Sequence, residues 1–468
     1  MLCQSRNKRS INLSWPPFAA LGVMAVAFSL TAVESARSQT PAAPQQQITT
    51  QVLIGDAVSE VGTRYADIDQ AIQRFNNRDV LAARQFLEAA KKKDPALPPT
   101  DLTLAKMYFL SGNAAAGRAS LEKTALENPG DPEAYLILAD QALQQGRSID
   151  AEALYDKALV LIDKFSENAK RKRNFQIRAR TGRANVYERR KDWQAAANDL
   201  KELLKADPEN AAGHYRLGRA LFMQKQFREG YDQFVASRKF DKNLPDPYVS
   251  AALLYDQLGQ TKEAQTAFDR AIAANKTDAA TLTAYGQWLI KQGSVEKAEA
   301  ILADARKANP EALNIFILSG VAARMAKKMK PAEDYFMEAL RISPANGDTL
   351  NQLALLLIEQ ADQSKRQRAL EFAGISSRLN NESADAQVTL AWVLYQLGRA
   401  AEAEQALRSA LQLGNLSPDS SFLVAKILVE QNRAEPAKQI LKQALDAETA
   451  GIFVNRQEAQ ALLETLEK

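Results

Sequence analysis

Small residues return along this chain with a fixed period. They stand at Ala71, Ala105, Ala139, Ala184, Gly218, Ala252, Gly286, Gly320, Ala354, Ala391 and Ala425, in steps of 34 residues apart from one of 45 and one of 37. A second small column, Ala83, Gly117, Ala151, Ala196, Gly230, Ala264, Ala298, Ala332, Ala369, Ala403 and Ala437, follows in the same phase. Four residues beyond it comes a bulky residue, as at Leu87, Leu121, Tyr155, Leu200, Phe234, Phe268 and Phe336, and three further on another small one in most units, as at Ala90, Ala158 and Ala271. These i, i+4, i+7 spacings lie on one face of a helix. Each period therefore predicts two helices, with the turn between them at Gly112, Gly146, Gly259, Gly293, Gly398 and Asn432, residues that tolerate a left-handed backbone. Pro95, Pro129, Pro208, Pro310 and Pro344 close units, where a helix must restart. Three extra residues near Gln363 to Arg366 predict a longer turn, and Asn455 is placed to cap a last helix over 452–468 carrying Ala459, Leu462, Leu463 and Leu466 on one face, a shield for the open end.

This pattern resembles the tetratricopeptide repeat, a helix-turn-helix unit of 34 residues with small residues where its helices cross. Ala139 to Tyr155, and Tyr255-Asp256-Gln257-Leu258-Gly259 followed by Glu263-Ala264 and Phe268-Asp269-Arg270-Ala271, carry the resemblance most fully. It covers residues 64–451 as eleven units, three over 64–165 and eight over 177–451. Leu203 replaces the usual small residue and Ala373 the usual bulky one. The resemblance implies an all-α, right-handed superhelical solenoid whose first helices line a concave face that holds an extended peptide or a partner helix. By repeat phase, Arg178, Asn185 and Arg189 point inward in the fourth unit and Tyr215 and Arg219 in the fifth, with Arg216 beside them. Trp392 and Tyr395, one helical step apart, form the best-placed aromatic pair.

Composition then narrows the chemistry. With 46% hydrophobic and 25% charged residues, the 468-residue chain is of ordinary globular make. One His and one Cys exclude metal sites built from several such ligands, Cys-His dyads and disulfides. His214 stands alone, no G-x-S-x-G elbow exists, and the phosphate-cradling G-x-x-x-x-G-K-[ST] and G-x-G-x-x-G patterns are missing. Carboxylate pairs such as Glu296 with Glu299 sit among Lys and Arg as solvated helix faces. No catalytic residue, cofactor or metal is expected, and the chain reads as a non-enzyme.

Charge concentrates in one insertion, residues 166–176, between the third and fourth units. From Lys164 to Lys191 eleven basic residues face two acidic ones, a balance of +9. This is read either as a soluble helical extension or as a site for an acidic partner at Lys170, Arg171, Lys172 and Arg173: an acidic protein segment, anionic lipid or an acidic polymer. At the start, Arg6, Lys8 and Arg9 precede an uncharged run from Pro16 to Val33 and a small-residue stretch ending at Ser38, the layout of a signal peptide or a membrane anchor over 1–38. Residues 39–63 read as a spacer. Removing 1–38 leaves a charge of +1, so net charge gives no support for nucleic-acid binding. The expectation is an extracytoplasmic, periplasmic or secreted scaffold that binds other proteins. The alternatives are an accessory subunit of exopolysaccharide synthesis or export, and the regulatory partner of a separate envelope enzyme.

Overall fold

The computed structural model describes residues 48–55, 65–446 and 451–467. The segment read as a signal or anchor lies outside them. The described residues hold 24 helices and no strand, and no described helix is long and apolar enough to cross a membrane. The chain divides into two compact units, Met1–Pro208 and Glu209–Lys468.

In unit 1 a short helix α1 (Thr50–Ile54) precedes four antiparallel hairpins: α2 (Ala66–Asn76) with α3 (Val80–Lys93), α4 (Thr100–Leu110) with α5 (Ala114–Glu127), α6 (Glu133–Gln144) with α7 (Ser148–Lys164), and α8 (Ala169–Arg189) with α9 (Trp193–Ala206). Unit 2 continues with α10 (Ala211–Met223) and α11 (Phe227–Phe240), α12 (Pro247–Gln257) and α13 (Thr261–Ala274), α14 (Ala279–Lys291) and α15 (Val295–Ala308), and α16 (Leu313–Met325) and α17 (Met329–Ile342). Then come α18 (Gly347–Ile358) and α19 (Gln363–Leu379), α20 (Ala384–Gln396) and α21 (Ala400–Leu413), α22 (Pro418–Glu430) and α23 (Ala434–Asp446), and a last helix α24 (Arg456–Glu467).

The two small columns are where paired helices cross. Ala71 and Ala83, or Ala252 and Ala264, are fully buried. At Gly218 an added Cβ would lie 2.8 Å from the Gly230 carbonyl oxygen and 2.7 Å from the Phe234 ring, so α10 and α11 touch backbone to backbone there. The bulky column fills the space beside each crossing: Tyr155, Phe234, Phe268 and Phe336 are at most 1% exposed. Truncating any one of these aromatics to Ala removes about 3–5 kcal/mol of packing.

The turns follow the expected chemistry. Gly112, Gly146, Gly259, Gly293, Gly398 and Asn432 all have φ between 59° and 81°. Units without Gly or Asn there keep the geometry: Arg78, Lys191, Lys225 and Lys327 take φ of 59° to 65°, a conformation that costs an ordinary side chain roughly 1 kcal/mol. Helix starts are capped by side chains, as where Asp192 accepts from the Ala195 N–H and Asn210 from that of Gly213.

Three expectations need correcting. The extra residues at 363–366 lie inside α19, whose start is capped by Asp362, so they lengthen a helix instead of a turn. The spacer is partly structured: residues 50–54 are helical, with Leu53 and Ile54 each 1% exposed. The last helix starts at Arg456 instead of residue 452, directly after Asn455, whose side-chain amide also donates to Asp419 at 2.7 Å.

Candidate functional site

The basic insertion lengthens both neighbours. α7 runs to 17 residues and α8 to 21, the longest helix described. Asn168 starts α8 by accepting from the Arg171 N–H, and Phe165 and Phe175 anchor either side of that start in the core. The basic side chains of α8 then meet acids on helices that pack against it. Arg178 Nε donates to Asp140 of α6 at 2.7 Å, and Asp140 also accepts from the Tyr155 hydroxyl at 2.5 Å. Burial, then that bond, pushes the Tyr155 phenol well above its ordinary range. Arg183 grips the buried Asp199 of α9 with two bonds of 2.7 Å, while Arg180 reaches the same carboxylate at 2.6 Å. Arg183 also pairs with Asp156, and Arg190 with Glu152, both on α7. A cavity of about 300 Å³ between α8 and α9 is lined by Arg180, Arg183, Tyr187, Asn198 and Asp199.

The four residues read as a polyanion site separate. Arg171 is fully buried, held by Glu133 at 2.8 Å and Asp131 at 3.3 Å, with its guanidinium over the rings of Phe165 and Phe175. It faces inward because its helix start is pinned by those two aromatics, and a side chain with no exposed surface cannot meet an external polymer. Lys170 Nζ donates to the Gly55 carbonyl at 3.1 Å, Lys172 Nζ to that of Asp163 at 2.9 Å, and Arg173 Nε to that of Ala206 at 2.9 Å. These three remain at the surface, and Lys172 is the most covered of them.

Glu133 is the centre of the buried group. Burial works to raise its carboxyl, but Lys106 of α4 and Arg171 overcome that and hold it down at about 2. Burial wins at Asp131, which is raised despite Arg171. Lys106 Nζ also donates to the Leu53 carbonyl of α1 at 3.1 Å. Sequence reasoning missed Lys106 and Glu133. Lys106 directly follows the small-column residue Ala105, as Asp140 follows Ala139, and that adjacency was a signal for partly buried charge. Nothing local announced the partners.

The inward residues expected from repeat phase are found on first helices. In unit 1, Arg178 and Asn185 are half-buried and Arg189 is exposed at the end of α8, with an Nη1 donor 3.4 Å from the Leu143 carbonyl. In unit 2, Tyr215, Arg216 and Arg219 are half-buried on α10, and burial pushes the Tyr215 hydroxyl up. Trp392 is different. It is 5% exposed within the cluster of Leu355, Phe422 and Leu423, and Lys426 Nζ sits 4.4 Å from its ring centroid. It packs between hairpins instead of facing a groove, and only Tyr395 of the pair is half-exposed.

Hairpins of this length, crossing at small residues and stacked with first helix beside first helix, define a helical-repeat solenoid. The chain belongs to the tetratricopeptide repeat family, whose sequence model matches residues 102–169, 181–230, 286–347 and 356–419, with a second tetratricopeptide model matching 257–314. Among curated relatives, cellulose synthase operon protein C of Pseudomonas fluorescens is 28% identical over 199 residues, 42% of this chain and 15% of the relative. Its namesake in Komagataeibacter sucrofermentans is 22% identical over 346 residues, 71% of this chain and 25% of the relative. This chain thus spans a quarter or less of the length of either. The type IV pilus assembly protein PilF of Pseudomonas aeruginosa is 25% identical over 126 residues, 26% of this chain and 50% of PilF. A solved PilF structure aligns with a TM-score of 0.34 at 19% identity, covering 46% of this chain and 95% of that one.

Proposed function

We propose that this protein is a non-enzymatic scaffold of the cell envelope that binds other proteins on the first-helix faces of its hairpins. The family membership carries the reading, because a surface of repeated first helices with half-buried basic and aromatic residues suits an extended or helical partner better than a small substrate. In unit 1 we assign the contact to Arg178, Asn185 and Arg189, and in unit 2 to Tyr215, Arg216, Arg219 and Tyr395. Export by the residue 1–38 segment places these faces outside the cytoplasm. A second reading, service to an exopolysaccharide machine, is favoured by the name that the two cellulose-operon relatives share. An acidic polymer or anionic lipid would then meet Lys170, Lys172 and Arg173.

In-cell crosslinking of tagged full-length protein, followed by fractionation and mass spectrometry, tests this. Wild type should capture a defined set of envelope proteins. Asn185→Ala with Arg189→Ala, or Arg216→Ala with Arg219→Ala, should deplete that set about tenfold or more, the equivalent of one or more lost contacts. Carbohydrate enriched in a salt-dependent way without any protein set would replace this reading with the polysaccharide one.

A further inference from the structure

The first-helix face of unit 1 already carries an occupant, and it is a segment of the same chain. α1 packs on α2 and α4, both first helices. Its side chains Leu53 and Ile54 are 1% exposed and join the cluster that contains Ile72, Leu104 and Met107. Thr50 Oγ1 donates to Asp69 of α2 at 2.6 Å. At the other end, the carbonyls that a helix leaves unpaired meet two ammonium groups: Leu53 O accepts from Lys106 of α4, and Gly55 O from Lys170 of α8, each at 3.1 Å. Lys106 is paired in turn with Glu133 of α6, and Glu133 with Arg171, the neighbour of Lys170. The polar contacts run from α1 through α4, α6 and α8 back to α1, so the segment bridges first helices from three different hairpins.

We propose that residues 48–55 are a displaceable self-ligand of this face, and that the partner it takes is a short amphipathic helix of the same make. Such a partner has two adjacent aliphatic residues on its buried side and unpaired carbonyls at its end, within reach of Lys106 and Lys170. This inference rests on the protein-binding reading of unit 1. A five-residue helix has no stability of its own and exists here only through what it touches. Val52, on its outer side, is 48% exposed, so the segment lies on the array without being enclosed by it. The insertion at 166–176 gains a role on this reading: it carries Lys170 to the segment while Arg171 fixes it to the array. A bound self-ligand lowers the apparent affinity for a partner by the fraction of molecules in which the face is open.

The test uses the full chain and a fluorescein-labelled peptide of sequence ITTQVLIG, residues 48–55, read by anisotropy. Leu53→Asp with Ile54→Asp should release the built-in segment, and this variant should bind the peptide about tenfold or more tighter than wild type. A peptide with Asp at both aliphatic positions should not bind. Equal affinity for wild type and variant, equal affinity for both peptides, or no binding by the variant at about 1 mM peptide each overturns the proposal. Should circular dichroism show the double variant unfolded, Leu53→Ala, a milder change confined to the segment that leaves the face intact, takes its place: it should raise binding of the wild-type peptide severalfold, and unchanged binding overturns the proposal. Cellular capture that succeeds while these peptide experiments fail removes this inference and leaves the scaffold reading standing.

Discussion

Both units have a piece of their own chain folded onto first helices, and they hold it by opposite means. In unit 1 the array donates: Lys106 and Lys170 supply N–H groups to the carbonyls at the end of α1. In unit 2 the array accepts. Asp419, near the start of α22, takes bonds from the Val454 N–H at 3.0 Å and from the Asn455 N–H and side-chain amide at 2.9 and 2.7 Å, just ahead of α24. The pairing matches helix polarity, ammonium groups against a carboxyl-terminal end and a carboxylate against an amino-terminal one. The apolar share differs too. Unit 2 buries Phe453 among Leu423 and Leu428, and packs Ile452 and Val454 on the cluster of Val321, Leu353 and Leu356, whereas unit 1 relies on Leu53 and Ile54 together with a buried group of charges. A first-helix face can thus be covered chiefly by apolar burial or with the help of a buried ionic circuit, and the second depends more on each of its members.

The sharpest way to break the comparison is therefore Glu133→Gln. It leaves the fully buried Arg171 with Asp131 alone and takes the partner from Lys106. Unpairing a buried charge costs about 3–5 kcal/mol. Urea unfolding of the full chain should show an earlier first transition, with hydrogen exchange placing the loss in unit 1; an unchanged midpoint would mean that Asp131 alone satisfies Arg171. Asp419→Ala ranks next at about 2–3 kcal/mol, because three donors lose their charged acceptor while the apolar contacts of Phe453 persist. Exchange protection should then fall at residues 452–459 and hold in unit 1.

Acid separates the two regions by sign. Glu133 is held at about 2 against an ordinary 4.5, so its contribution is complete above about pH 4.5 and is lost only as the pH falls through 2. Burial raises Asp419 above its ordinary 3.8, outweighing its N–H donors and Arg324. Its charged form is therefore disfavoured by the fold, and acidification relieves that cost while weakening the acceptor. Carboxyl carbon titration followed by NMR should find Asp419 taking up its proton at higher pH than Glu133; the reverse order would overturn both assignments of cause.

The repeat was legible because it is local. Small residues at crossings and Gly at the turns are periodic along the chain, and Gly218 against Gly230 needs no knowledge of the other hairpins. The binding faces were less so. The Lys and Arg of 164–191 read as an uncompensated +9, yet Arg171, Arg178, Arg180 and Arg183 find acids on other helices 16 to 38 residues away. No i, i+4 rule reaches that far. Trp392 carried the right residue type at the right spacing for a hot spot, and only packing decides that its ring lies under Lys426. Residues 48–55 gave the least warning: the short aliphatic run Val52-Leu53-Ile54 takes its meaning from a face completed more than a hundred residues later, by Lys170.

Salt gives the smallest difference and the most discriminating one. The Glu133 group is buried on both sides, so mobile ions screen it little. Lys170 is exposed, but it meets a neutral carbonyl, and a charge against a dipole also responds weakly to ionic strength. Local opening of α1, read from exchange at the Leu53 and Gly55 amides that bond Thr49 and Gln51, should therefore shift by less than about 0.5 kcal/mol between low and high salt. Residues 452–455 should not shift at all, since burial of Phe453 and its neighbours sets their opening. A shift well above about 1 kcal/mol at α1 would mean that the ionic circuit is open to solvent, and that unit 1 is closed by surface charge instead of buried charge.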